Sequence, residues 1–213
     1  MADAILHGIF GSPFVRIAQL GFEEKTAPYR LAKMPFYAMK GEEHLARQPF
    51  GRIPALEHDG FALYETQAIT RYVDEAFDGP RLQPENIRDR ARMNQLIGIH
   101  DWYAFPSIGA VIAAQRVMGK TFKISVNEDE IAAVTPQADL SMREVDRIMG
   151  DSPYLAGDSF SLADIFFMPM MAFYELTPEG KATLARHPRL ASWWSRVAPR
   201  PSMAKTRAEY TQT

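Results

Sequence analysis

The chain has 213 residues, of which 46% are hydrophobic and 23% are charged, a composition typical of a soluble globular protein. Its formal net charge of −2 and pI of about 6.2 argue against a nucleic-acid partner held mainly by phosphate contacts. No cysteine is present, which excludes disulfides, thiolate metal sites and a protein thiol as nucleophile. The N-terminus lacks a signal-peptide pattern and no apolar run looks long enough to span a bilayer, so we expect a cytoplasmic protein without a membrane partner.

The first part of the chain is predicted to form an α/β domain. Strands are predicted at 4–10 and 29–34, joined by a helix over 13–23, and a connection through a helix makes the two strands parallel. An Asp-Gly pair then predicts a hairpin with strands at 52–57 and 61–64, followed by a helix that ends near residue 77. This βαβ–ββα order resembles a thioredoxin-like domain.

A connector rich in glycine and proline, residues 78–86, predicts a boundary between a first domain, 1–78, and a second domain, 87–213. The second domain is predicted to be all-α. Its helices are expected at 87–118, with kinks at Pro106 and Gly109, and at 127–149, 162–174, 179–186 and 188–197. Ser161 and Asp164 have the spacing of a capping box, so we interpret Asp164 as a structural residue and not a catalytic one.

Ile53 and Pro54 lie at the start of the hairpin and are the first candidates for ligand binding. Proline removes a donor from a sheet ladder and forces the residue before it into an extended conformation. If the Ile53–Pro54 bond is cis, Ile53 can turn its N–H and C=O outward. An extended peptide could then pair with Ile53 as an added strand.

Glu65 and Thr66 follow the hairpin directly, where a helix begins. Thr66 is predicted to be the N-cap, and a helix start with its positive dipole end suits a ligand carboxylate. Glu65 places a negative charge where an ammonium could bind, so the pair could recognise both charges of an α-amino acid. Alone, the two residues favour an ordinary capped helix; together with Ile53 and Pro54 they favour a binding site.

Ser12 lies between the first strand and the first helix, where it is a candidate N-cap before Pro13. A nucleophilic serine needs a base, but the five histidines are scattered and no Gly-x-Ser-x-Gly motif is present, which disfavours a hydrolase. Alternatively, the Ser12 hydroxyl donates to a bound thiolate. Lowering a thiol pKa from about 8.5 by about two units requires roughly 2.7 kcal/mol. A hydrogen bond to a charged group contributes about 1.5–3 kcal/mol and a helix N-terminus about 0.3–1 kcal/mol.

These motifs, in this order, resemble the cytosolic glutathione transferase superfamily, of a serine-type, bacterial or phi-like kind. The resemblance spans nearly the whole chain and also includes the second-domain residues 153–158 and 161–164, Trp193-Trp194, and 200–202. It implies a homodimer that uses glutathione as co-substrate, with an electrophile bound between the domains and no metal. The absence of cysteine argues against the branches of the superfamily that use a cysteine.

The resemblance also implies roles for individual residues in glutathione binding. Ser12 would stabilise the sulfur, Ile53 with Pro54 would bind the peptide backbone, and Glu65 with Thr66 would hold the γ-glutamyl group. Lys40 would bind the glycyl carboxylate.

Two residues near this predicted site depart from the plant phi class. Met39 stands where that class has histidine, and Arg52 stands where it usually has glutamine. Arg52 either supplies the missing contact or is simply solvated.

The electrophile pocket is predicted from residues at the ends of the first two strands and on the first long helix. The candidates are Phe10, Phe14, Phe36, Tyr103, Ser107 and Val111. The last three share one face of a helix by their four-residue spacing. The alternative is that the aromatic residues belong to the core.

We therefore predict a glutathione transferase that adds the glutathione thiolate to a hydrophobic electrophile. Two alternatives remain open: a glutathione-dependent isomerase, lyase or peroxidase on the same fold, and a non-catalytic ligand-binding protein.

Overall fold

The computed structural model describes residues 4–207, apart from the side chains of residues 120 and 122. It divides into two compact units, Met1–Leu82 with Pro201–Thr213, and Gln83–Arg200. The second domain predicted from the sequence extended to residue 213, whereas the C-terminal segment groups with the first unit. The buried guanidinium of Arg16 explains this difference, because it donates to the Met203 carbonyl at 2.9 Å and to Thr206 Oγ1 at 3.2 Å.

The first unit contains a four-stranded sheet with the strand order β2-β1-β3-β4. β1 and β2 are parallel and are joined by the helix α1, whereas β3 is antiparallel to both β1 and β4. The predicted βαβ–ββα order is therefore confirmed. The elements are β1 (Ala4–Gly8), α1 (Pro13–Lys25), β2 (Tyr29–Lys33), a 3-10 helix (Phe36–Lys40), α2 (Glu42–Arg47), β3 (Ala55–His58), β4 (Phe61–Tyr64) and α3 (Thr66–Ala76).

The hairpin forms where the Asp-Gly pair predicts it. Asp59 and Gly60 have φ angles of 50° and 78°, the left-handed pair that a tight two-residue hairpin turn requires. β3 begins three residues later than predicted, at Ala55. Pro54 has no N–H for the ladder, and the backbone of Arg52 bonds to side chains instead of to a strand.

Apolar residues from the sheet, α1 and α3 form the core of the first unit. Its largest fully buried members are Leu6, Phe22, Leu56 and Ile69. Burying such a side chain contributes about 1.5–3 kcal/mol each to stability. The sheet that carries Ser12, Ile53 and Glu65 at its strand ends is therefore packed on a hydrophobic core.

The second unit is helical, as predicted. The helix over Leu162–Tyr174 is buried on nearly all sides. Asn127 and Thr177 each cap the helix that begins directly after them. The elements are α4 (Ile87–Ile99), a π-helical segment (His100–Met118), α5 (Gly119–Phe122), α6 (Glu128–Met149), α7 (Leu162–Tyr174), α8 (Pro178–Arg186) and α9 (Pro188–Val197). The short α10 (Pro201–Lys205) follows and belongs to the first unit.

Asp164 is the fully buried acid at the start of α7, and the predicted capping box is present. Its carboxylate accepts hydrogen bonds from the N–H and Oγ of Ser161, at 2.8 and 3.2 Å. The Leu155 N–H and the Trp193 indole donate to it as well, at 3.0 and 2.8 Å. Burial raises the pKa of Asp164, and these donors oppose that rise.

The helical stretch Ile87–Met118 has 32 residues and is long and apolar enough, by length and composition, to cross a membrane. Pro106 does not interrupt it, so the expectation that no apolar run is long enough was wrong. Of its most apolar window, 56% is buried inside the protein. A core helix of a soluble protein passes the same test.

Candidate functional site

The sheet register brings three of the predicted site segments to one edge of the sheet. His7 near the end of β1 pairs with Ala55 at the start of β3, and Ala55 pairs with Tyr64 at the end of β4. Ser12 follows β1, Ile53 precedes β3 by two residues, and Glu65 follows β4 directly. Ser12 and Glu65, which are separated by 53 positions in the sequence, therefore lie at the same edge of the sheet.

Ser12 occupies the N-cap position of α1, but its side chain does not cap the helix. Its carbonyl accepts from the Arg16 N–H at 2.8 Å, as the first bond of the helix requires. Within residues 4–207, the partly buried hydroxyl of Ser12 has no hydrogen-bond partner. A hydroxyl donor is thus available beside the positive end of a helix dipole, which is what an anion requires.

The Ile53–Pro54 bond is cis, as the sequence suggested. The Ile53 side chain packs against the core of the first unit. In the part of the chain that the structure describes, neither the N–H nor the C=O of Ile53 has a hydrogen-bond partner. Buried or half-buried backbone groups are nearly always paired, so this pair of open groups is a candidate position for a ligand backbone.

Glu65, and not Thr66, is the N-cap of α3, so the predicted cap is wrong by one residue. Glu65 has φ 72° and ψ 119°, a conformation that a non-glycine residue adopts only under strain. Its exposed side chain makes no capping bond, and Thr66 is buried as the first residue of the helix. The carboxylate therefore stays available at a helix start whose first N–H groups have no side-chain cap.

Lys40 ends the 3-10 helix, and its Nζ donates to the Phe50 carbonyl at 3.3 Å. Gly51 packs closely against the Lys40 side chain: a Cβ at this position would lie 2.7 Å from Nζ. Arg52 is exposed, and Met39 is half-buried in the same short helix. Lys40 thus contacts the loop just before Ile53, and Arg52 is the exposed residue next to Ile53 in the chain.

His44 and Gln48 are site residues that the sequence reasoning missed. Gln48 Oε1 accepts the Arg52 N–H at 2.9 Å, and His44 Nε2 lies 2.6 Å from the Arg52 carbonyl. Both side chains are buried. The signal that could have found them is their spacing of four residues, which places two polar side chains on one face of a short helix just before Ile53.

The pocket candidates of the first unit differ in their surroundings. Phe10 is half-buried, and the ammonium of Lys33 lies over its ring at 4.6 Å from the centroid. Phe14 is also half-buried, whereas Phe36 is 79% exposed. Phe10 and Phe14, which stand on either side of Ser12 in the chain, are thus partly accessible, and Phe36 is not a core residue.

The pocket candidates of the second unit also differ in their exposure. Tyr103 is 54% exposed, whereas Ser107 is buried and its hydroxyl donates to the Tyr103 and Ala104 carbonyls at 2.9 and 3.2 Å. Val111 is half-buried. The segment that carries these three residues is π-helical and not α-helical.

Over residues 4–207, no cluster of three or more histidine, aspartate or glutamate side chains could hold a metal ion. The groups open at this sheet edge are a hydroxyl at a helix start, a backbone N–H and C=O, and an exposed carboxylate.

Comparison with known proteins agrees with this chemistry. A family model described as "Glutathione S-transferase, N-terminal domain" matches residues 6–81, and one described as "Glutathione S-transferase, C-terminal domain" matches residues 128–194. "Glutathione S-transferase F9" of Arabidopsis thaliana is 30% identical and covers 95% of this chain and 94% of its own. "Glutathione S-transferase F10" of the same plant is 33% identical and covers 81% of this chain and 83% of its own.

Solved structures give the same result. Glutathione transferase F7 from Populus trichocarpa has a TM-score of 0.87 at 27% identity and covers 99% of this chain and 100% of its own. Glutathione S-transferase I from maize, in complex with an atrazine glutathione conjugate, has a TM-score of 0.85 at 25% identity and covers 96% of each chain. The chain therefore belongs to the glutathione S-transferase family.

Proposed function

We propose that the first unit binds glutathione along this sheet edge and that the Ser12 hydroxyl stabilises the glutathione thiolate for addition to a hydrophobic electrophile. The observation that carries the proposal is the convergence at one edge of three groups that have no partner among residues 4–207. These groups are the Ser12 hydroxyl, the backbone of Ile53 and the Glu65 carboxylate.

The tripeptide backbone of glutathione is proposed to pair with Ile53. The N–H and C=O of this residue have no partner among the described residues, and an extended ligand can supply one partner for each. This pairing places the cysteinyl residue of the ligand, and hence its sulfur, at the edge where β1 leads into Ser12.

The charged ends of glutathione are proposed to bind at two places. Glu65 binds the ammonium of the γ-glutamyl group, and the uncapped start of α3 at Thr66 binds its carboxylate. Lys40 and Arg52 supply positive charge for the glycyl carboxylate. Arg52 is exposed, which leaves its guanidinium available for a bidentate contact that Met39 cannot provide.

The thiolate is proposed to gain its stability from Ser12 and from α1. A hydrogen bond to a charged group contributes about 1.5–3 kcal/mol, and the helix dipole about 0.3–1 kcal/mol. Their sum reaches the roughly 2.7 kcal/mol that a pKa decrease of about two units requires. No general base is needed, which agrees with the absence of a histidine bond to Ser12 among the described residues.

The electrophile is proposed to be a small hydrophobic compound. Phe10, Phe14 and Phe36 supply apolar surface in the first unit, and Tyr103, Ser107 and Val111 are the candidates in the second. A relative that holds the glutathione conjugate of an aromatic compound supports this class. The protein is further proposed to be a cytoplasmic homodimer, which light scattering would test by a mass of twice the 24.1 kDa chain.

A turnover panel tests the proposed reaction. Glutathione is combined with aryl halides, hydroperoxides and aryl ethers, and loss of free thiol is followed alongside product formation. We expect conjugation of at least one aryl halide, with Ser12→Ala much slower at neutral pH. Binding of glutathione without turnover of any electrophile would favour a non-catalytic ligand-binding protein, and turnover of hydroperoxides alone would favour a peroxidase.

A further inference from the structure

We propose that His44 and Gln48 are positioning residues for glutathione, because they fix the peptide plane that contains the Ile53 N–H and the plane before it. The inference rests on the proposed function of Ile53 and extends it to two side chains that act through the protein backbone. Both residues are buried, with 3% and 1% of their surface exposed.

His44 acts on the peptide that contains the docking group itself. The Arg52 carbonyl and the Ile53 N–H belong to one planar trans peptide and point in opposite directions. A carbonyl only accepts hydrogen bonds, so His44 Nε2, at 2.6 Å, carries the proton and donates. The bond therefore aims the Ile53 N–H directly away from His44.

Gln48 fixes the preceding peptide. Its Oε1 accepts the Arg52 N–H at 2.9 Å. Gln48 lies just after α2, and its own N–H bonds to the His44 carbonyl at 2.8 Å, so the two side chains are held on one face. With both planes fixed, the loop has little freedom to rotate the Ile53 N–H out of line with a bound peptide.

The 3-10 helix contacts the loop 48–52 through Lys40. Gly51 has φ 61°, and its N–H donates to the Gln48 carbonyl at 3.0 Å. Lys40 donates to the neighbouring Phe50 carbonyl at 3.3 Å. The loop 48–52 is thus held by α2 on one side and by Lys40 on the other, and Ile53, whose N–H and C=O have no partner among the described residues, follows it directly.

The alternative is that His44 and Gln48 only stabilise the fold. Arg47 provides the matched control, because it lies between them and ties the same helix to β3 through a 2.8 Å bond to Glu57. Its hydrogen bonds go to Glu43 and Glu57 and not to the loop. Arg47→Met therefore loosens α2 without freeing the Arg52 peptide.

The experiment compares glutathione affinity, by calorimetry, with kcat at saturating glutathione. His44→Phe and Gln48→Met remove one bond to the loop and are expected to weaken binding about tenfold, with kcat changed by less than about twofold. His44→Gln places an amide N–H near the position of Nε2 and should restore affinity to within about threefold. Arg47→Met should lower the melting temperature and leave affinity within about twofold.

A modified ligand tests whether the effect runs through Ile53. Glutathione methylated at the cysteinyl nitrogen cannot pair as a strand, so it should bind the wild type more weakly. His44→Phe should then reduce the affinity for the methylated ligand by less than about a further factor of two, because the ligand already lacks its backbone pairing with Ile53. If His44→Phe does not fold, Gln48→Met provides the same comparison.

Three results would overturn the proposal. The first is that His44→Phe loses as much affinity for the methylated ligand as for glutathione. The second is that Arg47→Met loses as much glutathione affinity as His44→Phe, and the third is that folded His44→Phe and Gln48→Met lose none. Failure of the wild type to bind glutathione would instead refute the proposed function.

Discussion

The start of α1 and the start of α7 both carry a serine at the N-cap position, yet their polar groups are used differently. At α7, Ser161 and Asp164 bond to each other and to the chain, so every oxygen of the buried carboxylate is occupied. At α1, the Ser12 hydroxyl makes no capping bond and has no partner among residues 4–207.

The comparison teaches how to separate a structural polar residue from a binding one. A buried polar group without a partner costs about 1–3 kcal/mol, so folding normally satisfies it. Where one is left unsatisfied at a surface edge, the missing partner is expected to be a ligand. The partly buried Ser12 hydroxyl meets this criterion, and Asp164 does not. The Glu65 carboxylate is exposed, so its candidacy rests on its strained backbone at a helix start instead.

Asp164→Ala is expected to give the largest effect, on stability alone. It leaves the Leu155 N–H, the Ser161 N–H and the Trp193 indole without their acceptor, at about 1–3 kcal/mol for each buried group. We therefore expect a loss of more than about 3 kcal/mol in denaturant unfolding, with glutathione affinity unchanged in the folded fraction. Asp158→Ala, at an exposed residue of the same segment, is the control and should be nearly neutral. A folded Asp164→Ala protein that loses only turnover would contradict the structural role.

Glu65→Gln is expected to have the opposite effect to Asp164→Ala: glutathione binding should be lost while the fold remains intact. Glutathione at a hundredfold excess over Kd should stabilise the wild type by about 2.7 kcal/mol, and the variant should lose most of this. A thermal-shift titration measures both. Glu75→Gln, at an exposed acid near the other end of α3, should respond like the wild type. No stabilisation of the wild type at millimolar glutathione would refute glutathione binding.

Ser161→Ala should give a smaller loss of stability than Asp164→Ala. It removes one bond to the carboxylate and leaves the other donors in place, so we expect about 0.5–2 kcal/mol, the usual range for an N-cap. Glutathione affinity should not change. If this variant lost affinity as Glu65→Gln is expected to, the contrast between the two helix starts would be wrong.

Local patterns were sufficient to predict most elements of the fold. The Asp-Gly turn predicts β4 with its observed bounds, and apolar spacing does the same for α7 and α9. α2 was missed because a helix of six residues is too short to show an apolar period. The start of β3 was wrong because the Arg52 backbone bonds to side chains of His44 and Gln48, which no pattern within a strand reveals.

The candidate site was predicted less completely than the fold. Ile53, Pro54 and Ser12 carry recognisable residue types at recognisable places, but their shared edge follows from the strand register. The N-cap was assigned to Thr66 because threonine is a common cap, whereas Glu65 adopts a positive φ that sequence rules reserve for glycine. The burial of Ser107 and the donation of its hydroxyl to two backbone carbonyls do not follow from its spacing in the sequence.

The pKa of bound glutathione in Ser12→Ala tests the central claim most directly. Ultraviolet titration of the thiolate should show a rise of about one to two units relative to the wild type, with glutathione affinity nearly unchanged. Ser12→Thr, which keeps a hydroxyl, should retain part of the activity and serves as the control. The rate at neutral pH should fall by about the same factor as thiolate ionisation, less the gain from a more nucleophilic thiolate. An unchanged pKa in Ser12→Ala would contradict the account and place thiolate stabilisation elsewhere on the first helix.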